Sequence, residues 1–383
     1  MNEINPILRK KTELLCKGLY LDQDLINYYK KQGIDLDFGR KGGAGPLGGR
    51  YFLLEDKETL VNVALWDNPE KSNLILTRKN GDFFEVLNRN TQKHYASVIL
   101  IENPKYYASE YKTSDGIPMK KIALVHGIDC LATTVYQKCK YWACGEACKF
   151  CGIELSLKYD TTTIEKTAQQ ISEVITVAKK EGRCSHMTLT SGTEDKEDKG
   201  AMRYMNILTG IKNRHPDIPL HIQIEPMKDL EYIKKLKNSG ADTIGIHIEL
   251  LDETLREEIT PGKYRIPYKC FLDNWKYAVK IFGENQVETF ILTGFGGSDK
   301  IFKKRIKEII KLGVIPFITP VRAIPSKKKG TPPTNYKELV KIYQWVSKLM
   351  LRYKLNPLKN KAGCVRCGGC SAISEYYKFL IRD

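Results

Sequence analysis

The sequence lacks any apolar run long enough to cross a lipid bilayer. A membrane-spanning helix needs roughly 18 to 20 consecutive apolar residues, and no segment approaches that length. The first 20 residues, MNEINPILRKKTELLCKGLY, also lack the apolar core and the small-residue cleavage site of a signal peptide. We therefore expect no membrane association and a cytoplasmic location.

The chain also lacks a phosphate-binding loop, and it does not have the features of a small disulfide-stabilised domain. Its glycine-rich residues 39–49, GRKGGAGPLGG, do not fit P-loop spacing and have no Lys-Ser/Thr ending. With 383 residues, 42% of them hydrophobic, the chain is long enough for two or three structural units with a sizeable core. In a reducing cytosol, its eleven cysteines favour metal ligands over a disulfide framework.

The charge balance is strongly basic. A formal net charge of +17 raises the encounter rate with anions, either nucleic acid or an acidic protein surface. The excess is mainly lysine spread along the chain, with one tight triplet at residues 327–329. A solvated, lysine-rich surface explains this pattern as well, so charge alone predicts no nucleic-acid partner.

The pattern of apolar residues changes near residue 118. Before it, short strand-like runs (TLVNVAL, NLILT, FFEVL, ASVILI) predict a small mixed α/β domain over residues 1–117. After it, helical segments separate six apolar strands, KIALVHG, HMTLTS, LHIQIEP, TIGIHIE, VETFILTG and VIPFITP. This α/β pattern predicts a (βα)6 partial barrel or an open doubly wound sheet over residues 118–333, followed by a helix and a cysteine-rich tail over 334–383.

Three cysteines lie within eight residues of one predicted loop, at Cys144, Cys148 and Cys151. Four thiolates would close a zinc or iron–sulfur site, whereas three leave one iron of a cubane cluster open to another ligand. A fragment of a zinc knuckle is the alternative. The CxxxCxxC spacing, with the aromatic Phe150 before the last cysteine, resembles the radical S-adenosylmethionine (SAM) superfamily. The resemblance implies that a [4Fe–4S] cluster binds SAM and that a one-electron reductant such as ferredoxin drives cleavage to a 5′-deoxyadenosyl radical.

The same resemblance implies SAM-binding residues at the ends of the strands. Gly192 and Thr193 match the turn that holds the SAM amine, and Gly294 matches the motif beside adenine. His247 and Glu249 alternate along a strand and point the same way, towards the ribose. His247 is equally suited to a position in the core where its ring makes hydrogen bonds within the protein. The full set of candidates is Phe150, Ser191, Gly192, Thr193, Glu225, His247, Glu249, Gly294 and Arg322, the last of which suits a carboxylate of SAM or substrate.

A second compact group of cysteines lies in the tail, at Cys364, Cys367 and Cys370. The spacing indicates an auxiliary [4Fe–4S] cluster, with a structural zinc site as the alternative. A closed site needs a fourth ligand, for which Cys139 is our first candidate and Cys130 and Ser371 are the alternatives. The remaining isolated cysteines are interpreted as ordinary thiols.

Taken together, the motifs (among them KIALVHG, HMTLTSGT, IQIEP, GIHIELLDE, the turn Pro261-Gly262-Lys263, PFITPVRAI and KAGCVRCGGCSA) resemble a radical SAM family encoded beside nitrilases in bacteria. Relatives of that family resemble a subunit of the archaeal two-component lipoyl synthase. This likeness implies sulfur insertion into an octanoyl chain, with an acidic carrier protein or a second radical SAM subunit as partner. The chain lacks the N-terminal auxiliary motif of one-component lipoyl synthases.

Two other functions remain open from the sequence. The first is radical modification of a small molecule or peptide without sulfur insertion. The second is a non-catalytic iron–sulfur or zinc protein that binds nucleic acid. An affinity for RNA or DNA that falls steeply with salt concentration would support it.

Overall fold

The computed structural model of the protein describes residues 5–34, 36, 49–322 and 334–382. Most of the glycine-rich segment, residues 39–48, and the lysine triplet at 327–329 lie outside the described residues. In the described part, no helix is both long and apolar enough to cross a membrane.

The N-terminal part is a closed six-stranded barrel with two helices. Strand order is β1-β3-β2-β6-β5-β4, with β1 parallel to both of its neighbours and the other pairs antiparallel. Apolar residues alternate with more exposed ones along β2 and β6, which is why one face of each strand fills the barrel. The elements are α1 (Pro6–Lys17), β1 (Leu19–Tyr20), α2 (Gln23–Lys30), β2 (Gly49–Leu54), β3 (Leu60–Trp66), β4 (Leu74–Asn80), β5 (Phe83–Asn88) and β6 (Lys93–Leu100).

The central part is an open, curled sheet of seven strands in the order β13-β12-β11-β10-β9-β8-β7. Six of them, β8 to β13, are parallel, and β7 is antiparallel to β8 at the edge. The predicted partial barrel is therefore confirmed. Its strands are β7 (Leu124–His126), β8 (Cys130–Thr134), β9 (His186–Thr190), β10 (Leu220–Gln223), β11 (Thr243–Gly245), β12 (Val287–Thr293) and β13 (Ile315–Pro320).

The prediction of the first parallel strand was wrong. The run KIALVHG supplies β7, the antiparallel edge strand, whereas the first parallel strand is β8. Gly127, with φ +64°, forms the turn between these two strands. Two short apolar runs joined by a turn are a hairpin, and hydrophobicity alone does not show which of its strands continues the parallel sheet.

Helices cover the outer face of the curled sheet and connect its strands. Around and between the strands lie α3 (Met119–Ile122), α4 (Lys140–Ala143), α5 (Leu155–Lys158), α6 (Ala168–Lys180), α7 (Ala201–Arg214), α8 (Glu231–Asn238), α9 (Glu253–Ile259), α10 (Pro261–Tyr264), α11 (Tyr268–Phe282) and α12 (Asp299–Lys311). Local chemistry sets their ends. Thr167 and Gln170, for example, form a reciprocal capping box at the start of α6.

The C-terminal part consists of α13 (Tyr336–Arg352), α14 (Cys364–Cys367) and α15 (Ile373–Leu380). Helix α13 packs against both α15 and α1. The first helix and the last two long helices of the described chain therefore pack together. The division of the chain at residues 117 and 333 stays a prediction.

Candidate active site

The cysteine loop, residues 144–151, follows the short helix α4 beyond the carboxyl end of β8. Cys144 caps α4 and is exposed, whereas Cys148 is buried. The backbone N–H of Lys149 donates to the carbonyl of Ile259 at 2.8 Å, which ties the loop to the end of α9. Burial raises the pKa of the Cys148 thiol well above its ordinary value. A thiolate at this position therefore needs a cation or a metal beside it.

Gly192 holds the turn after β9 against the chain that leads into the cysteine loop. A Cβ atom on this glycine would lie 1.8 Å from the carbonyl oxygen of Lys138, so no other residue fits without a backbone shift. The next residue, Thr193, accepts a hydrogen bond from the N–H of Lys140 at 2.9 Å. The turn and the loop are thus positioned by each other.

A cavity of about 310 Å³ lies inside the curled sheet, below the cysteine loop. Most of the predicted site residues line it: Phe150, Cys151, Ser191, Gly192, Thr193, Glu225, His247, Glu249, Arg322, Cys364 and Cys370. Gly294 does not. Its φ is +112°, and a Cβ atom built on it would point at the side chain of Thr334. Gly294 instead lines a separate cavity. The cavity therefore contacts one cysteine of the loop and two of the tail.

Glu249 and Lys263 form an ion pair at the cavity wall. The Lys263 Nζ lies 2.6 Å from Glu249 Oε1, with side-chain exposures of 17% and 9%. Burial alone would lower the pKa of Lys263, but the charges of Glu249, Cys148 and Glu225 outweigh it and raise that pKa. Burial raises the pKa of Glu249, and Lys263 opposes that shift. Lys263 is thus a buried cation between the carboxylates and the cysteine loop.

The backbone of Glu249 is strained. Its φ is +59°, a left-handed conformation that costs about 1 to 2 kcal/mol for a residue with a side chain. Hydrogen bonds to β12 hold it there, because the Glu249 N–H donates to the Phe290 carbonyl at 3.0 Å and its carbonyl accepts from Leu292 at 2.8 Å. Strain of this kind is concentrated at functional sites. Here it points the carboxylate into the cavity beside Lys263.

His247 is oriented by its neighbour on β12. Its ring stacks on Phe290 with centroids 4.2 Å apart, and its Nδ1 accepts from the Phe290 N–H at 3.2 Å. The other ring nitrogen, Nε2, then carries the proton. Burial lowers the pKa of His247 well below its ordinary value. The ring is therefore a neutral donor at the cavity wall.

Three buried polar atoms at this wall have no hydrogen-bond partner in the described part of the chain: Glu225 Oε1, His247 Nε2 and Glu249 Oε2. The other oxygen of Glu225 accepts from the Tyr141 hydroxyl at 3.2 Å. Buried polar groups are normally paired, so unpaired ones that face a cavity indicate a polar ligand. Two acceptors and one donor suit the amine, hydroxyl and ring groups of SAM.

The cysteine-rich tail enters the interior of the curled sheet at the amino ends of its strands. The N–H of Gly363 donates to His186 Nδ1 at 3.3 Å, and that of Val365 donates to Glu288 Oε2 at the same distance. A Cβ on Gly363 would lie 2.6 Å from the ring of His221, which explains the glycine. The tail thus fills the part of the interior at the amino ends of the strands. The part towards their carboxyl ends is the cavity.

Cys130 lies with the tail cysteines. The pKa of Cys367 is raised well above its ordinary value, first by a hydrogen bond with the Cys130 thiol and then by burial. The pKa of Cys364 is also raised well above its ordinary value, by burial first and then by Glu288 and the nearby thiols of Cys130, Cys370 and Cys367. These four side chains form the tail thiol group.

The structure does not place Cys139 in the tail thiol group, where we expected it. Cys139 lies beside the cysteine loop, and its N–H donates to Glu154 Oε1 at 3.1 Å. Burial raises the pKa of the Cys151 thiol, and the nearby Cys139 thiol adds to that rise. The chain from β8 to the loop runs along the carboxyl ends of the strands, whereas the tail enters at their amino ends. Ser371, an alternative, already donates its hydroxyl to the Ile318 carbonyl.

Neither cysteine group is a ready-made coordination sphere. Among the residues that the structure describes, no three or more His, Cys, Asp and Glu side chains stand so that they could hold a metal ion. The two groups are therefore neighbourhoods of thiols that a cluster would have to draw together. Of the isolated cysteines, Cys184 is buried, which raises its pKa to about 12 and makes it unreactive.

Sequence reasoning did not assign a role to Lys263 or to the polar residues at the strand starts, His186, His221 and Glu288. Lys263 belonged to a turn motif whose spacing carried no chemical information. The strand-start residues could have been noticed, because an ionisable residue at an inward position of a buried parallel strand is unusual.

Several solved structures resemble this fold. Methylornithine synthase (PylB) is 19% identical over 59% of this chain and 64% of its own, with a TM-score of 0.41. HydG, a maturase of the [FeFe]-hydrogenase, is 17% identical over 61% and 52%, with a TM-score of 0.46. A radical SAM methyltransferase from Sphaerobacter thermophilus is 12% identical over 76% of each chain, with a TM-score of 0.43. The chain spans less than two thirds of the first two proteins.

A search of curated proteins finds no match. The family model for the radical SAM superfamily, in contrast, matches residues 142–309, which run from α4 through the cysteine loop into α12. A domain of this kind implies a [4Fe–4S] cluster and SAM. This chain therefore carries a radical SAM superfamily domain.

Proposed function

We propose that this protein is a radical SAM enzyme that inserts sulfur at an unactivated carbon of an acyl chain, in the manner of a lipoyl synthase. The observation that carries the proposal is that one cavity contacts Cys151 of the cysteine loop as well as Cys364 and Cys370 of the tail thiol group. A substrate in that cavity lies between the two cysteine groups. Such a position suits a reaction that breaks a C–H bond on one side and delivers sulfur from the other.

A [4Fe–4S] cluster with one open iron is the group that we assign to the cysteine loop. Its donor set is three thiols, Cys144, Cys148 and Cys151, with the cation Lys263 beside Cys148 to offset negative charge. Bound there with SAM and an electron, such a cluster supplies the 5′-deoxyadenosyl radical that removes hydrogen from a substrate.

The protein's own part is to bind, orient and keep water out. Glu225, His247 and Glu249 offer the unpaired polar atoms for SAM. Apolar side chains, including Phe290 and Phe317, form much of the remaining wall and favour an alkyl chain. Arg322, just beyond the carboxyl end of β13, lines the same cavity and faces Cys370.

The proposed substrate is an octanoyl group on a lysine of a small acidic carrier protein. The net charge of +17 supports an acidic partner, because complementary charge speeds association. A second radical SAM subunit and a ferredoxin-like electron donor are the other proposed partners.

The test is an anaerobic turnover assay of reconstituted full-length protein with SAM, dithionite and an octanoylated carrier. We expect 5′-deoxyadenosine together with sulfur on the carrier, detected by mass spectrometry. Cys148→Ala should abolish both products, and Cys364→Ser should abolish only the sulfur product. Cys270→Ser, which changes an isolated cysteine, is the matched control.

5′-Deoxyadenosine without sulfur on the carrier would refute sulfur insertion into this substrate. If a small molecule or peptide were then modified without gaining sulfur, the second function left open by the sequence would replace it. No 5′-deoxyadenosine from any substrate, with salt-sensitive binding of RNA or DNA, would favour the non-catalytic alternative.

A further inference from the structure

Cys130 is placed inside the curled sheet by the strand that carries it. It is the first residue of β8 and is 2% exposed. Its Sγ lies 3.5 Å from Thr188 Oγ1 on the neighbouring strand β9. Thr188 lines the same cavity as Cys364 and Cys370, so the Cys130 side chain points towards the tail and away from the outer helices.

The tail packs directly on the β7–β8 turn beside Cys130. A Cβ on Gly127, within that turn, would lie 3.3 Å from the Sγ of Cys367. Because Gly127 is joined to Cys130 through this turn, the contact places Cys367 beside the start of β8. On the other side of the tail, Gln223 Nε2 donates to Cys364 Sγ at 3.6 Å.

From this placement, and on the basis of the auxiliary cluster in the proposed function, we propose that Cys130 is the fourth ligand of that cluster. Cys130, Cys364, Cys367 and Cys370 then form a closed site of four thiolates that joins the first parallel strand to the C-terminal tail. A cubane cluster with four thiolate ligands has no open iron for SAM or substrate. Its contribution would be sulfide or electrons.

The charges around the tail thiol group suit an anionic cluster. An oxidised [4Fe–4S] core with four thiolates carries a net charge of about −2. The Arg322 guanidinium faces Cys370, and Nη1 donates to Asn62 Oδ1 at 2.8 Å; within the described ranges no carboxylate pairs with it. Burying a cation without an anion is costly, and the cluster would supply that anion.

A second cation, Lys11, contacts the tail between Cys367 and Cys370. Lys11, 0% exposed, donates to the carbonyl of Gly368 at 2.9 Å and pairs with Glu375. Gly368 follows Cys367 directly, so Lys11 fixes the backbone between two of the proposed ligands. Because Lys11 belongs to α1, the N-terminal barrel helps to close the site.

The test is iron and sulfide analysis, with EPR of the reduced protein, in a full-length background where Cys144, Cys148 and Cys151 are all alanine. That background isolates the tail site and should hold about four irons per chain. Adding Cys130→Ala should lower the iron content at least about twofold, and Cys130→Ser should change the EPR signal. Cys139→Ser and Cys184→Ser, in the same background, should leave both readouts unchanged.

The outcomes separate this inference from the proposed function. Iron and EPR unchanged by both Cys130 substitutions, in a background that retains its cluster, would overturn the role of Cys130 alone. A background with no iron, or with zinc instead, would overturn the auxiliary cluster itself. Cys130→Ala with the cysteine loop intact should keep a SAM-sensitive EPR signal, which shows that the variant folds; loss of that signal as well would contradict a role confined to the tail.

Discussion

Replacing Lys263 by methionine removes the cation that forms an ion pair with Glu249, and should destabilise the protein strongly. The pair is 2.6 Å long and both side chains are less than one-fifth exposed, at 17% and 9%. Removing one partner of a buried ion pair costs about 3 to 5 kcal/mol, because the other charge is left without compensation. We expect a loss of that size in the free energy of unfolding, measured by urea denaturation of the reduced apoprotein.

The loss should depend on pH. Without Lys263, the buried carboxyl of Glu249 holds its proton more tightly in the folded state than in the unfolded state, where its pKa is about 4.3. The folded protein then binds more protons, so its stability falls as pH rises above about 4. The deficit of Lys263→Met should therefore be smallest near pH 4 and grow towards neutrality. Lys263→Met combined with Glu249→Gln should recover much of the lost stability.

The matched control is Lys303→Met. Lys303 pairs with Asp299 at 2.7 Å on α12, but the two side chains are 56% and 77% exposed. Such a surface pair contributes about 0.3 to 0.5 kcal/mol. If Lys263→Met cost no more than this control at pH 7, the idea of a buried, mutually compensating pair at the cavity wall would be refuted.

Three further substitutions test other parts of the structure. Gly192→Ala should weaken SAM binding, measured as loss of the SAM effect on the EPR signal, because its Cβ would lie 1.8 Å from the Lys138 carbonyl oxygen; unchanged binding would contradict the packing. Leu14 lies on α1 and is 0% exposed, so Leu14→Ala should lower the free energy of unfolding in urea by about 2 to 5 kcal/mol. A change under about 1 kcal/mol would argue against a packed α1. Asn335→Ala removes the cap that accepts from the Lys337 N–H at 3.1 Å and should cost about 1 kcal/mol, whereas no change would mean that the cap is not formed in solution.

Five of the six predicted strands could be located because each is a short apolar run between helical segments, and the structure has them as β9 to β13. The sixth failed at the hairpin of β7 and β8, where Gly127 separates two runs of similar composition. Strand pairing depends on contacts between distant segments, and local hydrophobicity does not report them.

Prediction of the candidate site from the sequence was limited in the same way. Residues near one another in sequence, such as Cys148, Phe150 and Cys151, could be grouped from their spacing. Cys130 could only be one alternative among several, because the sheet brings it to a tail that lies far along the chain. Gly294 was placed in the site by its position at a strand end, yet its positive φ turns it towards Thr334.

The measurement that tests the central claim most directly is iron and sulfide per chain after anaerobic reconstitution, with EPR of the reduced protein with and without SAM. Two [4Fe–4S] clusters predict about eight irons and a signal of which one part shifts on addition of SAM. Cys148→Ala should lose the SAM-sensitive part and keep the rest. A wild-type EPR signal that SAM does not change, or a Cys148→Ala protein with undiminished iron, would contradict the assignment of the cysteine loop as the site where SAM is cleaved.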